Sequence, residues 1–290
     1  MSAIAPSTST ADRVGRPAPR AAGTGRVTFG HLLASEWIKL LTLRSTWWTL
    51  GLTVLGMVGL AALSGAGAGF AADSGLGDGF GLSAITFGYW IGQISVAVLG
   101  ALIITGEYST GMIRSTMAAA PRRVDALLAK AGVLVGVVAA TAVLGIALSY
   151  LVTLPLLAPH DLAVDLGASD TWLAIGGAVA YLVLISLLAF GLGVIVRSSA
   201  GSIAAILGIV LMLPTVLSIV SVWQSWAMDV MAYLPSEAGG RMITGHGGIG
   251  DASMPPGATL LDPAVGGLVM LSYVVVVLAI AITLLKKRDV

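Results

Sequence analysis

Cysteine is absent from this 290-residue sequence, and charged residues make up only 10% of it against 57% hydrophobic residues. The absence of cysteine excludes disulfides, thiolate metal sites and cysteine nucleophiles. A soluble domain contains about 25% charged residues, so a chain with this composition cannot cover an ordinary soluble core with polar surface. The mean hydropathy of +0.97 therefore indicates an integral membrane protein.

The sequence also lacks residues that membrane enzymes and pumps commonly need. It contains no Gly-x-x-x-x-Gly-Lys-Ser/Thr phosphate loop. We therefore expect that this chain is not an enzyme, does not hydrolyse ATP itself and does not bind a cofactor. His31, His160 and His246 lie outside the long apolar runs, which argues against a metal site inside the membrane. Lys130 is the clearest ionisable residue within a run, one to two turns from its cytoplasmic end, and we interpret it as extending to the lipid headgroups.

Long apolar runs predict an all-α fold with six transmembrane helices, because about 20 apolar residues cross a bilayer as a helix. Pro155 is expected to tilt or break the third helix and Pro214 to kink the fifth. Gly51, Gly56 and Gly59 are expected to allow close helix packing in the first. The six spans are predicted at residues 46–64, 84–105, 124–156, 171–196, 203–222 and 265–285.

Two segments precede the first span. Residues 1–27 are rich in Ala, Pro, Ser and Thr and have no apolar core, so they are predicted to form a disordered cytoplasmic tail. In residues 28–45, polar side chains recur every three or four positions and apolar side chains share the opposite side. This pattern predicts an amphipathic elbow helix that lies in the membrane interface.

The basic residues are distributed unevenly across the predicted topology. Of the 15 Lys and Arg residues, all but Arg241 fall on the side that holds the N-terminal tail, the connectors 106–123 and 197–202, and the C-terminus. Positively charged residues mark the cytoplasmic side of membrane proteins. We therefore expect both termini to be cytoplasmic, which agrees with an even number of spans.

The connector 106–123 is the most informative stretch of the chain. Residues 106–117 read Gly-Glu-Tyr-Ser-Thr-Gly-Met-Ile-Arg-Ser-Thr-Met, and Ala-Pro-Arg-Arg follows at 120–123. A short helix over 110–119 would place four residues on one apolar patch that fits a groove on a soluble partner: Met112, Ile113, Thr116 and Met117.

A simpler interpretation of this connector is a solvated loop. Arg122 and Arg123 then only anchor lipid headgroups, as basic pairs at span ends commonly do. Glu107 is expected to form an exposed ion pair with Arg114 or Arg122, and such a pair would contribute only about 0–1 kcal/mol. Both interpretations stay open on these residues alone.

The run Glu-Tyr-x-x-Gly-x-Ile-Arg-Ser-Thr, followed by Pro-Arg-Arg, resembles the first cytoplasmic loop of ABC transporter permeases. The resemblance is to the type 2 export class, especially its high-GC Gram-positive bacterial branch. The similarity covers about residues 30–290. The other stretches that agree in order and position are 35–40, 44–46, 197–202, 233–236 and the basic C-terminus.

This resemblance implies that the connector 106–123 is a coupling helix in contact with a separate ATPase subunit, which binds ATP and Mg. It also implies a second permease subunit, identical or different, and a location in the bacterial plasma membrane. Lipids, drugs, peptides and polyketides all stay open as substrates. The residues implied in ATPase coupling are Glu107, Gly111, Arg114, Arg122 and Arg123, together with the apolar Met112, Ile113 and Met117.

Three polar residues of the second span, Thr86, Tyr89 and Gln93, share one helical face and could line a transport pathway or form interhelical hydrogen bonds. Two other functions also stay open. One is an ion-coupled secondary transporter that works alone. The other is a membrane sensor or scaffold whose extracytoplasmic segment 223–264 forms a short helix and then a mobile loop over 239–250. No feature indicates a nucleic-acid partner.

Overall fold

A computed structural model describes residues 28–75, 77, 79–113, 123–244 and 260–287, with only the backbone described at 123. This part of the chain is predominantly helical and contains no strand. A π-helical turn spans Gly208–Met212. The α-helices are α1 (Phe29–Thr42), α2 (Arg44–Gly65), α3 (Ala68–Asp73), α4 (Phe80–Thr86), α5 (Tyr89–Thr110), α6 (Arg123–Leu157), α7 (Ser169–Val196), α8 (Ser199–Leu207), α9 (Leu213–Ser221), α10 (Trp226–Ala232), α11 (Pro235–Thr244) and α12 (Pro263–Lys287).

Six helical segments of the described residues are long and apolar enough to cross a membrane. The prediction of an all-α chain with six helices able to span a membrane is thereby confirmed for the described residues, and the chain has the character of a multi-pass membrane protein. The largest difference in boundaries is at the end of the second span, predicted at residue 105 and observed at Thr110. The six segments are Arg44–Gly65, Phe80–Thr110, Val124–His160, Ser169–Val196, Ser199–Ser221 and Pro263–Lys287.

The first span, α2, shows how these helices pack. Its buried positions recur about every four residues and are mostly small or polar: Thr46, Thr53, Met57, Ala61 and Gly65. Leu52, Leu55 and Leu63 are 63–70% exposed on its outer side. This arrangement is typical of membrane helices, in which small residues allow close backbone approach while large apolar residues face lipid.

Helix α7 lies at the centre of the bundle and packs against α5, α6, α8, α11 and α12. Its closest approach to α5 is at Gly100, where a Cβ atom would lie only 2.2 Å from the carbonyl oxygen of Ser186. Glycine is therefore required at this crossing. In α2, by contrast, Gly56 meets Ile91, while Gly51 and Gly59 have no neighbour within 4 Å of a Cβ position. The expectation of close packing is thus wrong for Gly51 and Gly59.

The second span is interrupted between α4 and α5. At the interruption a Cβ atom on Gly88 would lie 2.5 Å from the carbonyl oxygen of Met57. The second span therefore approaches α2 at backbone contact at this glycine. Run length alone does not reveal this break.

The two prolines inside spans behave differently. Helix α6 continues through Pro155 to Leu157, so the break considered there does not occur. In the fifth span the π-helical turn Gly208–Met212 ends two residues before Pro214. A π turn widens the hydrogen-bond ladder, which is one way to accommodate a residue that lacks a backbone N–H.

The segment between the fifth and sixth spans contains two short helices, α10 and α11. Helix α11 packs against α7 and α12, and a Cβ atom on Gly177 of α7 would lie 1.9 Å from the carbonyl oxygen of Met242. Residues 239–244 are therefore helical and packed, which corrects the prediction of a loop starting at 239. The rest of the predicted loop lies outside the described residues.

Helix α1 forms where the amphipathic elbow is predicted. The Thr28 hydroxyl accepts a hydrogen bond from the backbone N–H of His31, which caps the helix N-terminus. The helix buries Glu36 and Leu40 and exposes apolar side chains such as Trp37 and Ile38. Its location in a membrane interface and the orientation of the termini stay predictions, and the predicted tail 1–27 lies outside the described residues.

Candidate functional site: a buried ion cluster at one end of the bundle

Four charged residues meet where α1, the last turn of α5 and the first turns of α6 come together. The Lys130 ammonium binds the Glu36 carboxylate and, at 2.8 Å, Oε1 of Glu107. The Lys39 ammonium lies 2.8 Å from Oε1 of Glu36 and 3.5 Å from Oε1 of Glu107. We call these four residues the ion cluster and this end of the molecule the loop end.

The ion cluster is largely shielded from solvent and has no net charge. The side chains of Glu36, Glu107 and Lys130 are only 7–8% exposed, whereas that of Lys39 is 37% exposed. Two carboxylates and two ammonium groups balance each other. Buried charges persist only when paired in this way, because desolvation of an isolated charge is costly.

One atom of the ion cluster is left without a partner. Oε2 of Glu107 is buried and accepts no hydrogen bond among the described residues. Buried polar atoms are nearly always hydrogen-bonded, so this carboxylate oxygen has capacity for a donor.

The two α1 members of the ion cluster have perturbed acidities. Burial opposes the charge of Glu36, but the Lys130 and Lys39 ammonium groups outweigh it and hold the Glu36 pKa below its ordinary value. Burial likewise opposes the charge of Lys39, but the Glu36 and Glu107 carboxylates outweigh it and raise the Lys39 pKa. Both residues therefore stay charged at neutral pH.

This geometry corrects two sequence-based interpretations. Lys130 does not extend to the headgroups but is buried between two carboxylates. Glu107 does not form an exposed pair but is buried on Lys130, 23 residues along the chain. Glu36 and Lys39 were not predicted as site residues, although a lysine inside an apolar run requires a carboxylate partner and only a few carboxylates lie at this end.

The residues implied in ATPase coupling begin with Glu107, a member of the ion cluster, and continue along the connector that follows α5. Gly111 ends α5 in the left-handed region at a φ of 71°, a conformation that favours glycine. Met112 is 45% exposed, whereas Ile113 is 4% exposed and packs in the core of its own chain. Arg114, Met117 and Arg122 lie outside the described residues, as does most of the predicted helix 110–119, and Arg123 begins α6.

The junction of α7 and α8 joins the loop end through two further contacts. The Ser199 hydroxyl donates a hydrogen bond to the Thr105 hydroxyl at 2.9 Å. The Arg197 guanidinium lies 5.3 Å from the centroid of the Tyr108 ring, in cation–π geometry. The last turns of α5 therefore contact α1, α6 and the α7–α8 junction.

A cavity of about 520 Å³ opens beside the ion cluster, between α1, α5 and α6. All four ion-cluster residues line it, together with hydroxyl groups and apolar side chains. Its volume is in the range of small-molecule sites.

The predicted pathway residues Tyr89 and Gln93 meet Tyr181 of α7 in the interior. The Tyr181 hydroxyl donates to Oε1 of Gln93, and the Tyr89 and Tyr181 rings pack edge to face at 5.8 Å. Thr86 is on α4 and donates its hydroxyl to Leu82 O within its own helix. Nε2 of Gln93 is buried without a partner among the described residues. Gln93 therefore forms an interhelical hydrogen bond, and a pathway role for these residues stays a prediction.

Within the described ranges, no three His, Cys, Asp or Glu residues are grouped so that they could hold a metal ion. No family model matches the chain, and no curated protein matches it significantly.

Proposed function

We propose that this chain is the transmembrane subunit of an ATP-driven ABC exporter. It forms part of the substrate pathway and couples to a separate ATPase, which binds ATP and Mg. A second permease subunit completes the pathway, and both termini lie on the cytoplasmic side of a bacterial plasma membrane. The proposal rests on the resemblance of residues 30–290 to such permeases, on the six spans and on the lack of a phosphate loop in the sequence.

The ion cluster is the observation that carries the coupling part of the proposal. It joins α1, α5 and α6 immediately beside the connector that we assign to ATPase contact. A buried ion pair resists separation, because removal of one partner leaves an uncompensated charge. Movement of the connector should therefore displace these three helices together rather than one of them alone.

Met112 is the described residue best suited to contact the ATPase. It is 45% exposed and follows the helix end at Gly111. Methionine is common at adaptable binding surfaces because its side chain is flexible and polarisable. The docking role predicted for Ile113 stays a prediction, but an Ile113 substitution would also disturb the chain's own core.

The test is purification of the full chain from its native membrane in mild detergent. We expect an ATPase subunit to copurify, identified by mass spectrometry, and the preparation to hydrolyse ATP. Met112→Asp should reduce both ATPase recovery and hydrolysis about tenfold or more, because a charge placed in an apolar contact must be desolvated.

Ser225→Asp is the matched control, since it adds the same charge at an exposed helix N-cap position at the other end of the fifth span. It should leave ATPase recovery unchanged. Absence of any ATPase from the wild-type preparation would contradict the proposed function. Equal ATPase recovery with Met112→Asp and Ser225→Asp would contradict the contact at Met112.

An ion-coupled secondary transporter is the alternative that one observation favours. Burial raises the pKa of Glu237 on α11, and no salt bridge to it is found among the described residues. A carboxylate with a pKa raised by burial keeps its proton to a higher pH than an exposed one, which is a property of the groups that carry protons in ion-coupled transporters. Transport by the purified chain in vesicles under a proton gradient, without ATP, would favour this alternative over the exporter.

A further inference from the structure

The cavity beside the ion cluster has a polar end and an apolar end. Glu36, Lys39, Glu107 and Lys130 line it at the loop end. Leu102, Ile103 and Val133 also line it, each three to five positions further into the apolar spans than Glu107 or Lys130. Such a cavity is complementary to an amphiphile whose polar head lies at the loop end and whose chains extend along the spans.

Glu107 indicates the chemistry of that head. Its side chain is 8% exposed, and its Oε2 accepts no hydrogen bond among the described residues. Leaving a carboxylate oxygen buried without a donor is costly. A ligand that brings an N–H donor, above all a charged ammonium, would satisfy this atom with a charge-assisted hydrogen bond.

The charge balance of the site indicates that the ligand carries a negative group as well. The ion cluster is neutral, so a ligand with a net charge would leave that charge unbalanced in a partly buried site. Lys39, the most exposed member at 37%, places positive charge at the rim. The hydroxyl residues Thr42, Ser45 and Ser109 line the same cavity. A zwitterion with an ammonium and a phosphate matches both features.

The position of the cavity along the helices indicates the source of the ligand. Glu107 lies in the last turn of the span Phe80–Thr110, and Glu36 lies on α1 before the first span. Residues near span ends are at headgroup depth in a bilayer. The apolar outer side of α1, with Trp37 and Ile38 exposed, fits the same depth.

We propose that this cavity binds the headgroup of an aminophospholipid from the surrounding bilayer, with the Glu107 carboxylate turned toward the cavity so that its buried Oε2 meets the ammonium, and with the phosphate near Lys39. The lipid fills the space between α1 and the bundle and completes the hydrogen bonding of Glu107. This proposal requires that the spans cross a bilayer, but it does not require an ATPase partner.

The test is native mass spectrometry of the purified full chain with three lipids of equal chain length. Phosphatidylethanolamine carries N–H donors and a phosphate, phosphatidylcholine is zwitterionic without N–H donors, and phosphatidylglycerol is anionic. We expect retention of phosphatidylethanolamine about tenfold above the other two, because only it donates a charge-assisted hydrogen bond to Glu107.

Gly106→Leu blocks the cavity without altering its charges. Gly106 lines the cavity, and a Cβ atom there meets no neighbour within 4 Å. Gly136→Leu is the matched control, since Gly136 is exposed on α6 with the same open surroundings but does not line the cavity. Thermal unfolding of both variants checks that they remain folded.

Loss of the preference for phosphatidylethanolamine in Gly106→Leu, with retention in Gly136→Leu, would support the site. Equal retention of the three lipids by the wild-type chain would overturn it. An unchanged preference in a folded Gly106→Leu protein would overturn it as well, because the lipid would then bind elsewhere.

Discussion

The charge of a lysine buried in a predominantly apolar helix is stabilised in this protein because two carboxylates from other helices form ion pairs with it. Lys130 binds Glu36, 94 positions away in the sequence, and Glu107. The gain from such pairing only offsets the desolvation of the charges, so the cluster contributes more to the specific arrangement of α1, α5 and α6 than to net stability.

Replacement of Lys130 by Met should destabilise the protein by about 3–5 kcal/mol, since two buried carboxylates would remain with a single partner. Lys39→Met is the comparison, because its side chain is 37% exposed and its removal leaves Lys130 between both carboxylates. Thermal unfolding in detergent measures both. An equal fall in unfolding temperature for Lys130→Met and Lys39→Met would show that the buried pairs of Lys130 contribute no more to stability than the exposed pairs of Lys39.

The pH dependence of the ion cluster follows from the α1 residues. The Glu36 pKa is below its ordinary 4.5, so its contribution is present above that value and is lost as pH falls through the lowered pKa. The Lys39 pKa is above its ordinary 10.5, so its contribution is present below that value and is lost as pH rises through the raised pKa. Between these values the contribution should be constant.

The measurement is the difference in unfolding temperature between the wild-type chain and Glu36→Gln as a function of pH. We expect a constant difference around neutral pH that shrinks below pH 4.5, where Glu36 takes up a proton and resembles Gln. A difference that already changes between pH 6 and 8 would mean that another group controls the cluster, since a histidine titrates in about this range.

At the residue scale the sequence predicted the types of site residue better than their partners. Glu107 follows from the connector motif, and Lys130 is conspicuous in an apolar run. Their pairing with Glu36 depends on how α1 packs against α6, and no local pattern in the sequence specifies that contact. Gln93 was recognised as polar within a span, but its bond to Tyr181 again joins two helices through residues that are 88 positions apart.

At the scale of helices, run length predicted the spans well because the bilayer sets their length. The break at Gly88 and the packing of α11 were missed, since both depend on backbone contacts with distant helices. Sequence shows where glycines are, but only the structure separates Gly100, which lies against Ser186, from Gly51, which has open space.

Gly100→Ala should therefore destabilise the bundle, because the added methyl group would lie 2.2 Å from a backbone oxygen that cannot rotate away. Overpacking of this kind costs about 1–3 kcal/mol or more. Gly51→Ala should be neutral or stabilising by up to about 1 kcal/mol, because alanine favours a helix over glycine. Unfolding temperatures of the two variants test this, and an equal response would contradict the close contact of α5 and α7.

At the scale of the whole molecule, the predicted orientation can be tested directly because the chain contains no cysteine. Single cysteines introduced at Ser109 and Ser225 should react with a membrane-impermeant thiol reagent from opposite sides. Both positions are exposed and lie at opposite ends of the bundle. We expect Ser109→Cys to be labelled only after the cytoplasmic side is opened, and labelling of Ser109→Cys in intact cells would reverse the topology.

The neutrality of the ion cluster has an electrical consequence. Moving one elementary charge through a membrane potential requires work of about 2.3 kcal/mol per 100 mV. Two positive and two negative charges move together when α1, α5 and α6 shift as a unit, so the work done by the ion cluster against the field sums to zero. The ion cluster should therefore add nothing to the voltage dependence of a conformational change that moves these three helices together.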